Sequence, residues 1–533
     1  MWRLDDPQGN EAGKVKYDIV AYTRGKGVDI GCGPSKAFPH FVGIDSRKDT
    51  GLFGIQMEPD VVVEDACSLP SIESESLDFV FSSHLLEHIP DTKVALTEWW
   101  RILKVGGHLV LYLPHRDHYP NIGQFGSNPD HKHDFTEDDI REVMGSVGDW
   151  TLRVEEVRSG GTEYSFLQVF QKRDDGLQII AIEPRPEKAA CVVRYGGFGD
   201  SIQAAGILPE LKRMGYHVTF MTTPRGHEIL KNDPHIDRFL LQDDDQVPNH
   251  ELPLYWAAQA KRFDRFINLS ESIEGTLLAY PGRANHSWPH AVRLVELDKN
   301  YHEWTAQLAE VAFCHDARFY PTDAEVTSAK GYLARSARRL LPDDAPMLMP
   351  SPDAFHILWC LAGSSVHKFY PGQDVVVKAV LDHIPEAIIH FTGDPVCKIL
   401  EAGWEDNRRV RCLSGEIGIR ESLALAQQSN CVVGPETGTL NAVAFEPMGK
   451  VVLMSHSSPH NLTKHWYNTA SIVPENTPCY PCHQMHMTRD FCPEDADSGA
   501  SICQRNIDPG VVFEAIRAHY LDWRNLIKIR RAA

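Results

Sequence analysis

Four groups of residues in this chain have the types and spacing for chemistry. His84-Leu85-Leu86-Glu87-His88 puts two imidazoles and a carboxylate within five residues; on a sustained helix they could face one zinc ion. Cys479, Cys482, Cys492 and Cys503 sit within 25 residues, a spacing at which four thiolates can take tetrahedral zinc. Four separately buried thiols or two disulfides are the other arrangements open to them. Asp29-Ile30-Gly31-Cys32-Gly33 and Gly196-Gly197-Phe198-Gly199-Asp200 are glycine turns beside a carboxylate, where bare backbone lets a ligand approach closely.

The elements that must position these groups follow from composition and pattern. At 533 residues the chain exceeds a single hydrophobic core, and its 42% apolar and 24% charged content is that of a globular protein. No apolar run reaches the ~20 residues of a membrane span, and the polar start MWRLDDPQGNEAGK shows no secretory signal, so a cytoplasmic protein is expected. A net charge of −20 repels polyphosphate, and no nucleic-acid partner is expected. The basic end WRNLIKIRR reads as a last amphipathic helix docked on the protein, ahead of a peripheral contact with the inner membrane face. Without a signal peptide, the clustered cysteines favour metal over disulfides. The Pro-bearing stretches 176–190 and 340–354 divide the chain into three parts, 1–175, 188–345 and 350–533. In each, short apolar strands alternate with longer helical patterns, the mark of doubly wound α/β sheets.

In the first part, KGVDIGCGPSKAFPHFVGID predicts a strand, a glycine turn and a second strand ending in Asp45, whose carboxylate suits a ribose diol. A third strand ends at Asp65. The series DIGCG, GID, EDACSLP, SSHLLEHIPD and RILKVGGHLVLYLP closely resembles the class I S-adenosylmethionine-dependent methyltransferases over residues 15–172. The resemblance implies a Rossmann-like domain in which Asp29, Gly31 and Gly33 line the methionine and ribose, Asp45 holds the ribose hydroxyls, and Asp65 with Ala66 meets the adenine edge. One departure stands out: only Gly31 to His40, with two prolines, joins the first two strands, so the first helix must be very short or absent. HLLEH directly follows a strand and Pro90 comes two residues later, which leaves no helix for a metallopeptidase site. In the resembling family these letters belong to the loop that flanks cofactor and acceptor. The loops HRDHYP and DHKHDF are rich in histidine and follow a sheet strand, where an acceptor site with a histidine base could lie. They read either so or as surface loops, no base is assigned, and a metal on His131, His133 and Asp134 is a further arrangement open to them.

The second and third parts contain RYGGFGDSIQAAGILPEL, AGSSVHK and VVGPETGTLNAVAFEPMGKVV. These stretches resemble glycosyltransferase family nine, the ADP-heptose–lipopolysaccharide heptosyltransferases, whose GT-B fold pairs two Rossmann-like lobes. The resemblance implies that Asp200 is the base that deprotonates the acceptor hydroxyl, although a plain helix cap is its bland reading. It also implies that Lys368, Ser364 and Ser365 meet the nucleotide diphosphate, and that Glu436, Thr437 and Gly438 begin a helix whose N–H groups hold the leaving group. The family's Asp-Thr-Gly, with a histidine three residues on, is here Glu436-Thr437-Gly438 with Asn441, which alters the pocket that reads the sugar.

The expectation is therefore a bifunctional enzyme. It joins inverting transfer from a nucleotide sugar, ADP-heptose-like, to a glycan or lipid-linked glycan acceptor with S-adenosylmethionine-dependent methylation, and carries a structural zinc at the four cysteines. The alternative is a binding or structural protein built on degenerate copies of both folds.

Overall fold

Short runs such as GVDI, LDFVFSS and CVVGP are buried along nearly their whole length, the pattern of parallel strands covered on both faces. A computed structural model describes residues 10–46, 59–270, 272, 276–342, 352–363, 368–486, 492 and 494–532. The chain divides into two compact units, Met1–Ala189 with Leu240–Asp264, and Ala190–Phe239 with Arg265–Ala533.

The first unit is built on eight strands: β1 (Gly27–Ile30), β2 (Val42–Asp45), β3 (Val61–Val62), β4 (Leu77–Ser83), β5 (Leu103–Pro114), β6 (Trp150–Gly160), β7 (Glu163–Lys172) and β8 (Gln178–Ile180). Their order is β3-β2-β1-β4-β5-β7-β6-β8. β1 to β5 pair in parallel, and β7 enters antiparallel between β5 and β6. The helix Thr92–Ile102 is capped by Asp91, which accepts the Val94 N–H at 3.0 Å, and it buries Leu96, Trp99 and Ile102. Between β1 and β2 the backbone runs through turns without a helix. Phe38 and Phe41, each 1% exposed, occupy that side of the sheet instead, with Phe41 packed 4.6 Å from the Phe79 ring centroid.

Residues 240–264 belong to this unit through polar stitches. Gln246 donates to the carbonyls of Val20 (2.7 Å) and Thr23 (2.9 Å), Arg24 pairs with Asp243 (2.8 Å), and Lys16 pairs with Glu251 (2.7 Å).

The second unit holds two parallel sheets. One comprises β9 (Ala189–Val193), β10 (His217–Thr222), β11 (Arg238–Leu241) and β12 (Arg265–Asn268), ordered β11-β10-β9-β12. The other comprises β13 (Phe355–Cys360), β14 (Ala387–Thr392), β15 (Val410–Cys412), β16 (Cys431–Pro435), β17 (Gly449–Leu453) and β18 (Thr469–Ile472), ordered β15-β14-β13-β16-β17-β18. A continuous apolar core joins them, from Val192, Ile202 and Phe220 to Leu358, Val432 and Leu440. The C-terminal helix Pro509–Ala532 docks through Val512, Ile516 and Tyr520, whereas Leu526 and Ile529 on its last turns are exposed. Among the described residues no helix is long and apolar enough to cross a membrane.

Candidate functional site

In the first unit the turn after β1 sits where the parallel strands end. Gly31 and Gly33 take φ of 77° and 55°, a region that costs other residues about 1–2 kcal/mol. Gly31 N–H and Cys32 N–H donate to the Ile44 carbonyl, and Gly33 N–H donates to Asp45 Oδ2 at 3.1 Å. Asp45 Oδ1 accepts the Ser46 N–H, so backbone donors fix its carboxylate beside the glycine turn. Asp29 is buried and accepts the Ala37 N–H; burial pushes its carboxyl up to about 7. Asp65 accepts the Cys67 N–H and the Ala66 carbonyl accepts the Trp99 indole N–H. Bare turn backbone at the end of β1 and a carboxylate closing β2 make a donor set that fits a ribosyl cofactor.

The HLLEH stretch forms a single 3-10 turn, Leu86–His88, rather than a sustained helix. Glu87 is wholly buried and neither of its carboxylate oxygens has a hydrogen-bond partner. Glu87 Oε1 lies 3.7 Å from His84 Nδ1, 4.0 Å from His88 Nε2 and 3.9 Å from His131 Nε2. Burial pushes Glu87 up to about 8 and His84 down to about 3, and it also lowers His88 and His131. Of the histidine loop, His131 joins this cluster, but its neighbours do not. His133 is bonded to the Ile89 carbonyl (3.0 Å), and Asp134 accepts the Ile122 N–H. Sequence spacing alone could not pair His131 with Glu87, because the pairing depends on Lys132 N–H and His133 N–H donating to the Glu87 carbonyl.

In the second unit the first turns of the helices Phe198–Ala205 and Gly438–Ala442 meet at their glycines. A Cβ on Gly199 would lie 3.2 Å from Gly438 Cα and 2.6 Å from Asn441 Nδ2, and Gln203 donates to Asn441 Oδ1 at 3.3 Å. Asp200 Oδ2 accepts the Gly197 N–H at 2.9 Å, and Asp200 Oδ1 pairs with the buried Arg194 guanidinium at 3.1 Å. Asp200 thus caps its helix, Phe198–Ala205, while its side chain stays 27% exposed. Lys368 is buried and donates to the Glu436 carbonyl at 2.8 Å; burial lowers its ammonium, opposed by the charges of Glu436 and Asp200. Glu436 accepts N–H bonds from Ser455 (3.0 Å) and Ser457 (3.1 Å) and the Ser455 hydroxyl (2.7 Å), and lies 2.6 Å from His456 Nδ1. Burial alone would raise it, yet His456, Lys368 and these donors hold it down to about 2. Thr437 caps the short helix Gly438–Ala442. Ser364 and Ser365 lie outside the described residues.

Arg194, His456 and the 455–457 turn carry no motif, so their part in the site was not readable from spacing. The four cysteines line one cavity of about 60 Å³, together with Ser455, Tyr480, Gln484, His486 and Ile502. Ser455 therefore touches both that cavity and Glu436.

Residues 28–111 match the family described as a methyltransferase domain, and the first unit carries such a domain. Among solved structures the chain is similar to the glycosyl transferase family 9 protein of Veillonella parvula, at 13% identity and TM-score 0.45, covering 64% of this chain and 99% of that one. It is similar to the ADP-heptose LPS heptosyltransferase II of E. coli, at 13% identity and TM-score 0.41, covering 63% and 99%. It is also similar to a SAM-dependent methyltransferase of Thermotoga maritima, described as a possible histamine N-methyltransferase, at 17% identity and TM-score 0.22, covering 31% and 94%. No curated protein matches the chain.

Proposed function

We propose that the chain is a bifunctional transferase, with methyl transfer in residues 1–175 and inverting sugar transfer between lobes 188–345 and 350–533. The observation that supports the second activity is the meeting of the Gly199 and Gly438 turns, with Asp200 within the electrostatic reach of a buried lysine. In this reading the acceptor is a glycan or lipid-linked glycan hydroxyl. Asp200 takes the hydroxyl proton as that oxygen attacks the anomeric carbon of a nucleotide sugar, ADP-heptose-like, from the face opposite the diphosphate. The bond from that carbon to the diphosphate oxygen breaks, and the configuration inverts. Lys368 and the N–H groups at Gly438 offset the charge on the departing diphosphate, and Ser364 and Ser365 add hydroxyl donors. Glu436 acts from behind as the anchor of the 455–457 turn.

In the first unit, Asp29, Gly31 and Gly33 would line the methionine and ribose of S-adenosylmethionine, Asp45 would take the ribose hydroxyls, and Asp65 with Ala66 would meet the adenine. When bound, that cofactor supplies an electrophilic methyl group. Cys479, Cys482, Cys492 and Cys503 would hold a structural zinc, whose coordination releases thiol protons. The protein would act in the cytoplasm, at a lipopolysaccharide-type glycan on the inner membrane face.

A panel of nucleotide sugars, incubated with and without methyl donor and read by mass analysis of the products, tests this reading. A product carrying neither sugar nor methyl group would end it. The turn in place of a helix after β1, and the inward bonding of Glu436, favour a second reading as a scaffold. Titration with S-adenosylmethionine and with ADP separates the two, because a scaffold would bind neither.

A further inference from the structure

In the stretch that packs on the glycine turn of the first unit, the structure assigns a divalent metal site to Glu87, His88 and His131, none of which has a part in the transfer chemistry proposed above. Each offers one ligand atom, and those atoms lie within 4.8 Å of one another. Glu87 is the centre of the site. A carboxylate wholly buried with both oxygens unpartnered is a costly arrangement, and a cation is what such a group lacks. The surroundings are built to hold it there. Lys132 N–H (2.7 Å) and His133 N–H (3.2 Å) clamp the Glu87 carbonyl and bring His131 across from a loop more than forty residues away. His133 locks the same turn through the Ile89 carbonyl.

His84 stands behind the carboxylate as a positioning residue. Its Nε2 bonds Ser165 Oγ at 2.9 Å, which turns Nδ1 toward Glu87. Its backbone sits at φ 51°, a strained value for histidine that the fold imposes.

Two imidazoles and one carboxylate suit a first-row divalent ion such as Zn²⁺, Mn²⁺ or Fe²⁺. Metal–ligand bonds of about 2.0–2.2 Å would draw the donors together by roughly 0.5–1 Å. Three protein ligands leave a position open, as in sites that bind a substrate oxygen rather than closed structural ones. His88 is the open side, with 30% of its side chain exposed. Leu85 beside it packs on Gly31, where an added Cβ would lie 2.8 Å from Leu85 Cδ2. The stretch that carries the site therefore packs on the glycine turn; that the open position takes an acceptor oxygen rests on the methyltransferase reading. Metal binding itself does not.

Mn²⁺ tests the site, since thiolates at the cysteine cluster prefer softer ions. Metal-stripped full-length protein, titrated with Mn²⁺ and followed by electron paramagnetic resonance, should bind one ion. Glu87→Gln and His131→Ala should weaken binding on the order of 100-fold, the upper scale on which even outer partners of a ligand act. His88→Gln, at a partly exposed position that keeps the fold, should do the same while thermal melting without metal stays unchanged. Equal Mn²⁺ affinity in wild-type and His88→Gln protein would overturn the assignment. So would the absence of both Mn²⁺ binding and Zn²⁺ binding in a chain carrying Cys479→Ser and Cys482→Ser. The readout needs no turnover, so a negative result leaves the transferase reading intact.

Discussion

Replacing Glu436 by glutamine removes one charge at nearly constant shape from the hub of the second unit. In the folded protein its pKa falls from 4.5 to about 2, a shift of about 2.5 units that corresponds to roughly 3 kcal/mol at 1.36 kcal/mol per unit. Because the folded value lies below the unfolded one, this stabilisation is complete above about pH 5 and drains away as pH falls toward 2. About 1 kcal/mol is gone by pH 4 and about 2 kcal/mol by pH 3 on the same relation. Glutamine cannot accept all of the Ser455, Ser457 and His456 donors, and its amide nitrogen must face one of them. The wild type should therefore exceed Glu436→Gln by about 3 kcal/mol at pH 7, with the gap closing in acid. Urea unfolding of the full chain between pH 3 and 7, followed on the transition of the second unit, measures both quantities. A gap below about 1 kcal/mol at pH 7, or one that stays constant with pH, would refute the reasoning.

Other outcomes can be read directly. Asp200→Asn should cut sugar transfer by roughly 100-fold or more while ADP binding by calorimetry is kept; retained turnover would remove Asp200 from the mechanism. Gly199→Ala adds a methyl 3.2 Å from Gly438 Cα and 2.6 Å from Asn441 Nδ2, and should lower kcat/KM roughly 10–100-fold, with part recovered when Asn441→Ala is added. Gly31→Ala combines φ 77° with a contact on Leu85, and should destabilise the first unit by about 2–5 kcal/mol in thermal or urea unfolding. Cys482→Ser should lower both bound zinc, by atomic absorption, and sugar transfer, because Ser455 joins the cysteine cavity to Glu436.

Much of the fold was legible because burial and chain direction leave local marks. The short, largely apolar runs of β1, β4, β13 and β16, and the glycines following β1 and preceding Asp200, each report a backbone constraint at their own position. The missing helix after β1 was legible for the same reason, since ten residues with two prolines cannot form a helical crossover. What stayed hidden depends on partners far along the chain. HLLEH was correctly read as unable to form a protease helix, yet nothing local says that His131, rather than His133, reaches Glu87. Asp200 reads as either base or cap, and the structure shows it capping its helix and paired with Arg194. The substitution of Glu for Asp at 436 looks like a change of sugar pocket in sequence; in space the longer acid reaches the 455–457 turn.

The excursion of residues 240–264 has a consequence for biosynthesis. When residue 189 leaves the ribosome, the carbonyls of Val20 and Thr23 still lack Gln246, and Lys16 still lacks Glu251. At 5–20 residues per second the missing stretch follows only about 4–15 s later. During that interval the nascent methyltransferase sheet carries those groups in water rather than against Gln246 and Glu251, while β9 and β10 of the next unit emerge.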